Sequence, residues 1–165
     1  MISLAPFALF LVAAPQAAPA ALPAAIPTPA TCVAPAPPAD LVAWSNPLPV
    51  ANATMPVGSA AIVPLTPVSA IAFPTAPART PKPGSYGIAT GFTIARAGRY
   101  RIALGGGAWI DVISGGRPLT SVAHGEGPAC SGIRKIVDFD LAAGTYGLQL
   151  SGATSDKLTV LIAGS

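Results

Sequence analysis

The chain predicts an all-β fold, an antiparallel β-sandwich of jelly-roll type built from two similar hairpins. Three observations carry that prediction. First, the chain is segregated: all but two of its 20 prolines precede Gly84, and all but one of its 17 glycines lie at or after it. Second, the glycine-bearing half holds short runs in which apolar and polar residues alternate, the period of a half-buried strand. Third, a hairpin-like pattern occurs twice in that half. No window carries a sustained helical period with caps, apart from an apolar start.

That start, residues 1–20, reads as an export signal. Ile2 to Ala14 is an apolar run without a charged side chain, shorter than the about 20 residues a spanning helix needs. Ala18-Pro19-Ala20 offers a cleavage site of the Ala-x-Ala kind. The mean hydropathy of +0.60 is raised by this segment and the tract after it, and no later stretch is long and apolar enough to span a bilayer. A periplasmic or secreted protein with no stable membrane span after signal removal is the expectation. Residues 21–39 are mainly Ala and Pro. Proline lacks an amide donor and holds φ near −65°, so the tract favours an extended, semi-rigid linker. The domain is expected over 40–165, beginning with Asp40-Leu41-Val42-Ala43-Trp44, the first segment with core-forming side chains.

Ala60 to Val68 is a strand candidate, and Pro64 and Pro67 place it at an edge or a bulge. Phe73 to Gly84, with four prolines, Arg79 and Lys82, is a surface loop. Gly91 to Ala95 alternates. After Arg96-Ala97-Gly98, the residues Tyr100, Ile102 and Leu104 share one face while Arg99, Arg101 and Ala103 share the other. Ala108 to Ile113 is a further strand, ended by a Gly115-Gly116 turn. Ile133 to Leu141 and Tyr146 to Leu150 follow, and Leu158, Val160 and Ile162 close the chain on one face. The repeat has the form Phe-x-(Ile/Leu)-…-Ala-Gly-x-Tyr-x-(Ile/Leu)-x-Leu, running from Phe92 to Leu104 and again from Phe139 to Leu150. Glycine is expected to supply positive φ in the turn, and tyrosine to bury a ring as the return strand starts. Two such units packed face to face bury both apolar faces. Arg99, Arg101, Asp138 and Asp140 fall on outward faces, where cross-strand pairing is expected. Trp44 is read as a core residue, and Asn52-Ala53-Thr54 as a chance match to a glycosylation sequon.

Nine Lys and Arg against six Asp and Glu give a net charge of +3. No dense basic run is present, so nucleic acid is not an expected partner. The small cationic excess favours weak contact with acidic polymers. In an oxidising compartment Cys32 and Cys130 are most simply one disulfide. The alternatives are two buried thiols and lipidation at Cys32, for which Pro29-Ala30-Thr31 is a poor lipobox.

The repeated pattern over residues 88–162 resembles the pre-peptidase C-terminal domain and related jelly-roll modules of secreted bacterial proteins. That resemblance implies a fold and no substrate. Two stretches, Gly107-Ala108-Trp109-Ile110-Asp111-Val112 and Leu119 to Lys135, resemble a group of short exported bacterial proteins sometimes automatically named homogentisate 1,2-dioxygenase. The name implies a small metal-dependent enzyme. Such an enzyme binds iron through two His and one carboxylate, and a single His cannot build that triad within one protomer.

His124 and Glu126 are the sole His and sole Glu of the chain. They stand two residues apart between glycines, with Cys130, Arg134 and Lys135 close by and Trp109 and Asp111 on a preceding strand. Three readings of this loop stay open. It is a structural loop fastened by the disulfide, with His124 and Glu126 hydrogen-bonded to backbone. Or Trp109, Asp111, His124, Glu126, Arg134 and Lys135 rim a shallow site for a glycan or peptide. Or it is catalytic or metal-binding, with Ser121, His124 and Asp111 as a paper triad that lacks a nucleophile-elbow motif. The favoured expectation is a non-catalytic binding or envelope-interaction module with no cofactor.

Overall fold

The structure, a computed structural model, describes Cys32, Val33, residues 35–51 and residues 54–165. The expected signal and most of the expected linker lie outside the described residues, as do Asn52 and Ala53 of the sequon. Cys32–Ser165 form one compact unit.

Among the described residues, eleven strands form two sheets. They are β1 (Leu48–Pro49), β2 (Ala61–Pro64), β3 (Thr66–Pro67), β4 (Tyr86–Ile94), β5 (Gly98–Leu104), β6 (Trp109–Ser114), β7 (Arg117–Pro118), β8 (Ala123–Gly125), β9 (Lys135–Leu141), β10 (Gly144–Ala153) and β11 (Lys157–Gly164). The six-stranded sheet runs β1-β2-β11-β5-β9-β8, and the five-stranded sheet runs β3-β4-β10-β6-β7. All strand pairs are antiparallel except the two-residue β1–β2 contact. Two 3-10 helices, Ala39–Ser45 and Val68–Ala70, are the helical elements among the described residues.

One apolar core draws on both sheets. Phe92, Ile94, Val112, Leu148 and Leu150 come from the five-stranded sheet; Val63, Ile102, Leu104, Phe139, Val160 and Ile162 come from the six-stranded one. The alternation read along β5, β10 and β11 thus points into a common interior. A smaller cluster lies on the opposite face of the six-stranded sheet. There Leu41 of the first 3-10 helix packs with Ala103, Ile133 and Leu161, and Trp44 joins as a partly buried member.

The repeat is real, but its two units are not hairpins. β4 and β5 lie in different sheets, and so do β9 and β10. Each Ala-Gly turn is a corner that carries the chain from one sheet to the other. The pairing is exchanged between units: β4 pairs with β10, putting Phe92 opposite Tyr146, and β5 pairs with β9, putting Tyr100 opposite Phe139. Each tyrosine hydroxyl donates to the carbonyl four residues upstream across its corner, Tyr100 to Arg96 at 2.9 Å and Tyr146 to Ala142 at 3.1 Å. A corner suits the sequence because both flanking strands must bury the same side. A hairpin of two half-buried strands would have given one sheet no opposing face to cover it. Gly98 does not adopt the expected positive φ, whereas its counterpart Gly144 does, at 154°; a Cβ at 98 would make only an ordinary contact, 3.8 Å from Tyr100 Cε2.

Pro64 and Pro67 also mark a change of sheet. β2 ends at Pro64 in the six-stranded sheet, and Thr66–Pro67 joins the edge of the other. The Gly115-Gly116 turn does close a tight hairpin, β6 to β7, with φ of 56° and 75°. Such angles are those of a two-residue hairpin loop, which glycine adopts without steric cost. The outward charges pair as read: Arg99 faces Asp140, with Nε to Oδ1 at 2.9 Å, and Arg101 faces Asp138. Arg101 also reaches Asp40 at 2.8 Å, which ties the first 3-10 helix to the sheet.

The loop from Ile71 to Gly84 is a strap across the outer face of the five-stranded sheet. Gln149 and Asp111 lie side by side on β10 and β6 and are 2% and 5% exposed. Gln149 accepts from the Thr75 amide at 3.1 Å and donates to the Thr75 carbonyl at 2.9 Å. Asp111 Oδ2 accepts from the Ala78 amide at 3.1 Å. Two buried polar side chains on a sheet face thus have their partners in the backbone of the strap, as buried polar groups require.

Candidate functional site

Cys32 and Cys130 form a disulfide, with Cα atoms 5.6 Å apart. It fastens the chain entering the domain to the loop between β8 and β9. That loop is held at further points. The Trp44 indole donates to the Ser131 carbonyl at 3.0 Å, and the Ser131 hydroxyl donates to the Pro128 carbonyl at 2.6 Å. Ile133 is buried beneath it, and a Cβ on Gly127 would overlap the Ile133 side chain. A larger residue at 127 would therefore lift the loop from the sheet.

Trp109 opens β6 on the outer face of the sheet. Its indole Nε1 donates to Asp111 Oδ1 at 2.9 Å. The Lys135 ammonium lies 5.1 Å from the Trp109 ring centroid and the Arg79 guanidinium 5.9 Å, both within cation–π range. Lys135 starts β9 in the other sheet, and its Nζ crosses to the Ala108 carbonyl at 3.0 Å. Burial, and then the nearby Arg79 charge, hold the Lys135 ammonium below the ordinary lysine pKa, against a smaller opposing pull from Asp111.

Trp109 and Lys135 stand between two clefts. The first, of about 380 Å³, lies at the open edge between the sheets. Asp111, Ser121, His124, Trp109 and Lys135 supply its polar rim, and Leu119, Val137 and Phe139 its apolar wall. The second, of about 390 Å³, lies between the strap and the sheet and is lined by Arg79, Lys82, Trp109 and Lys135.

Four of the six residues singled out from the sequence, Trp109, Asp111, His124 and Lys135, thus meet at one cleft. The other two do not enter it. Glu126 and Arg134 pair with each other at 3.0 Å on the exposed loop. His124, at the centre of the edge strand β8, is exposed, and its imidazole makes no hydrogen bond among the described residues. Backbone anchoring by His124 and Glu126 is therefore not what holds the loop; the disulfide and Trp44 do that. Ser121, His124 and Asp111 share the cleft, but no hydrogen bond links them, and both Asp111 oxygens are occupied by Trp109 and Ala78. No group of three or more His, Cys, Asp or Glu among the described residues is arranged to hold a metal ion.

Arg79, Lys82 and the apolar wall were not part of the expected site. Arg79 and Lys82 were visible only as charges in a proline-rich loop. Their position follows from Gln149 and Asp111, whose hydrogen bonds to the strap are contacts distant in sequence. No family model, curated protein or solved structure matches the chain.

Proposed function

We propose that this chain is an exported, non-catalytic carbohydrate-binding module of jelly-roll sandwich type, related to the small sandwich domains of secreted bacterial proteins. The strand orders support the jelly-roll reading. Taking β2, β4, β5, β6, β7, β9, β10 and β11 as the eight strands, one sheet runs first-eighth-third-sixth and the other second-seventh-fourth-fifth. That order gives two interlocked Greek keys. The disulfide supports export, since such bonds persist in oxidising compartments. No helix of the described residues is long and apolar enough to cross a membrane.

The observation that carries the binding reading is the edge cleft. An aromatic ring, a carboxylate, a hydroxyl and an imidazole converge on a concavity of about 380 Å³, of the size that holds a small ligand. Asp111 and Trp109 are fixed by each other and by the strap, so the site is preformed. His124 is unengaged and free to donate or accept. The metal-dependent alternative lacks a donor set: His124 is the sole histidine, and its acidic neighbours are already paired.

The test is a screen of the purified, disulfide-bonded protein against immobilised oligosaccharides and peptides, repeated with Trp109→Ala and His124→Ala. Saccharide retention lost in both variants is expected, with the melting temperature of His124→Ala unchanged and that of Trp109→Ala lowered by the loss of its bond to buried Asp111. Retention of peptides alone, or retention indifferent to both substitutions, contradicts the proposal.

A further inference from the structure

The acidic residues are consumed unevenly. Asp40, Asp138, Asp140 and Glu126 are in ion pairs with Arg101, Arg99 and Arg134. Asp111 is buried, and its oxygens are met by an indole and an amide. Among the described residues Arg79, Lys82 and Lys135, like Arg96, Arg117 and Lys157, have no carboxylate within ion-pair distance, and these first three share the lining of the cleft between strap and sheet. No acidic side chain lines it. Gathering three unpaired cations beside one another is unfavourable unless an anion offsets their repulsion. The rest of the lining suits a sugar: the side of Trp109, the hydroxyl-bearing Thr80 and Thr154, and two glycines that leave the floor open.

From this we infer that Arg79, Lys82 and Lys135, beside Trp109, form a subsite for the acid group of an anionic saccharide. The inference rests on the carbohydrate-binding reading above and extends it. The acid group docks on the cations, and the adjoining sugar lies along Trp109 toward the edge cleft with His124. An acidic peptide could extend β6 beyond its short pairing with β7 at Ile113 and Ser114, and the test below separates it. The Trp109 ring and the hydroxyls of the lining favour the sugar.

Affinity electrophoresis of the disulfide-bonded protein tests this with four polymers: polygalacturonate, its methyl ester, dextran sulfate and polyglutamate. The expected result is retardation by polygalacturonate and none by the methyl ester. Arg79→Gln and Lys82→Gln each weaken binding about tenfold, the scale of one lost charge-assisted hydrogen bond. Arg96→Gln removes an equal charge at the far end of the sheet. At roughly 3.3 Å per residue, the run of β10 from Gly144 to Ser151 separates that corner from Trp109 by about 23 Å, so this variant should bind normally. Dextran sulfate binding with the same Arg79 and Lys82 dependence supports an acid-group subsite open to sulfate. Equal binding to ester and acid overturns the subsite while leaving carbohydrate binding intact. An Arg96→Gln loss matching that of Arg79→Gln overturns it as diffuse charge attraction. Polyglutamate bound with the same dependence replaces the saccharide with an acidic peptide. Absence of any polymer binding by the unmodified protein overturns both the subsite and the carbohydrate reading.

Discussion

Tyr146 stacks on Phe92 across the β4–β10 pair, with ring centroids 5.6 Å apart and planes 24° apart. Both residues come from the repeated pattern, one from each copy. The aromatic positions of one copy are completed by the other, because the two corners exchange strands. Tyr146 is 8% exposed, whereas Tyr100, opposite Phe139, packs against the core from a partly exposed position. The two tyrosines share a hydrogen bond but not a degree of burial.

Tyr146→Ala should therefore cost about 3–5 kcal/mol, as large aromatic core deletions do, and Tyr100→Ala clearly less. Tyr146→Phe and Tyr100→Phe, which remove only the corner hydrogen bond, should each cost about 0.5–1.5 kcal/mol. Thr145→Ala, exposed beside Thr93, should stay within about 0.5 kcal/mol. Urea unfolding of the set checks this; equal losses at Tyr146 and Thr145 contradict the strand phase.

The strand faces were legible because period two is local: Ile102 and Leu104, Leu158, Val160 and Ile162 all point inward as their alternation requires. That Arg99, Arg101, Asp138 and Asp140 face outward was legible for the same reason; their partners were not. Which strand pairs with which was not. The Ala-Gly-x-Tyr turn reads alike as a hairpin or a corner, and the choice depends on a partner strand about 50 residues away. The strap was illegible too, since its anchors Asp111 and Gln149 are unremarkable in an alternating strand. His124 and Cys130 stood out as rare types in a glycine-rich loop, and Trp109, Asp111 and Lys135 as residues near it on strands or at a strand start. Only the packing shows that Glu126 and Arg134 pair with each other and line a neighbouring cleft with His124 and Lys135.

Reducing the disulfide, or replacing both cysteines by Ser, should lower stability. The bond closes a loop with a sequence separation of 98, for which chain-entropy models give about 4–5 kcal/mol as an upper figure. Intact mass after alkylation without reductant should show no modified thiol. Two alkylated cysteines in the native protein contradict the pairing.

Lys135 should titrate below an ordinary lysine. Its charged form is disfavoured in the fold, so protonating it opposes folding. That cost is absent above the unfolded pKa, grows as pH falls from the unfolded to the lowered folded value, and is complete below it. Arg79→Gln removes one cause of the shift and should move the titration upward. The pH dependence of the ε-methyl signal after reductive methylation reads both; a Lys135 indifferent to Arg79 contradicts the cation cluster.

His124→Ala should leave stability within about 0.5 kcal/mol, as for an exposed residue with no partner. A melting temperature several degrees lower contradicts its assignment as an unengaged binding group, since about 1 kcal/mol shifts a domain of this size by roughly 2–8 °C.

The most direct test of the binding claim uses the chain's two tryptophans as probe and control. Trp109 lines both clefts, whereas Trp44 is fastened to Ser131 and lines neither. In ¹H–¹⁵N spectra titrated with oligogalacturonate, and assigned with a Trp44→Phe variant, the Trp109 indole signal should move saturably while that of Trp44 stays fixed. A stationary Trp109 signal, or movement confined to Trp44, contradicts the account.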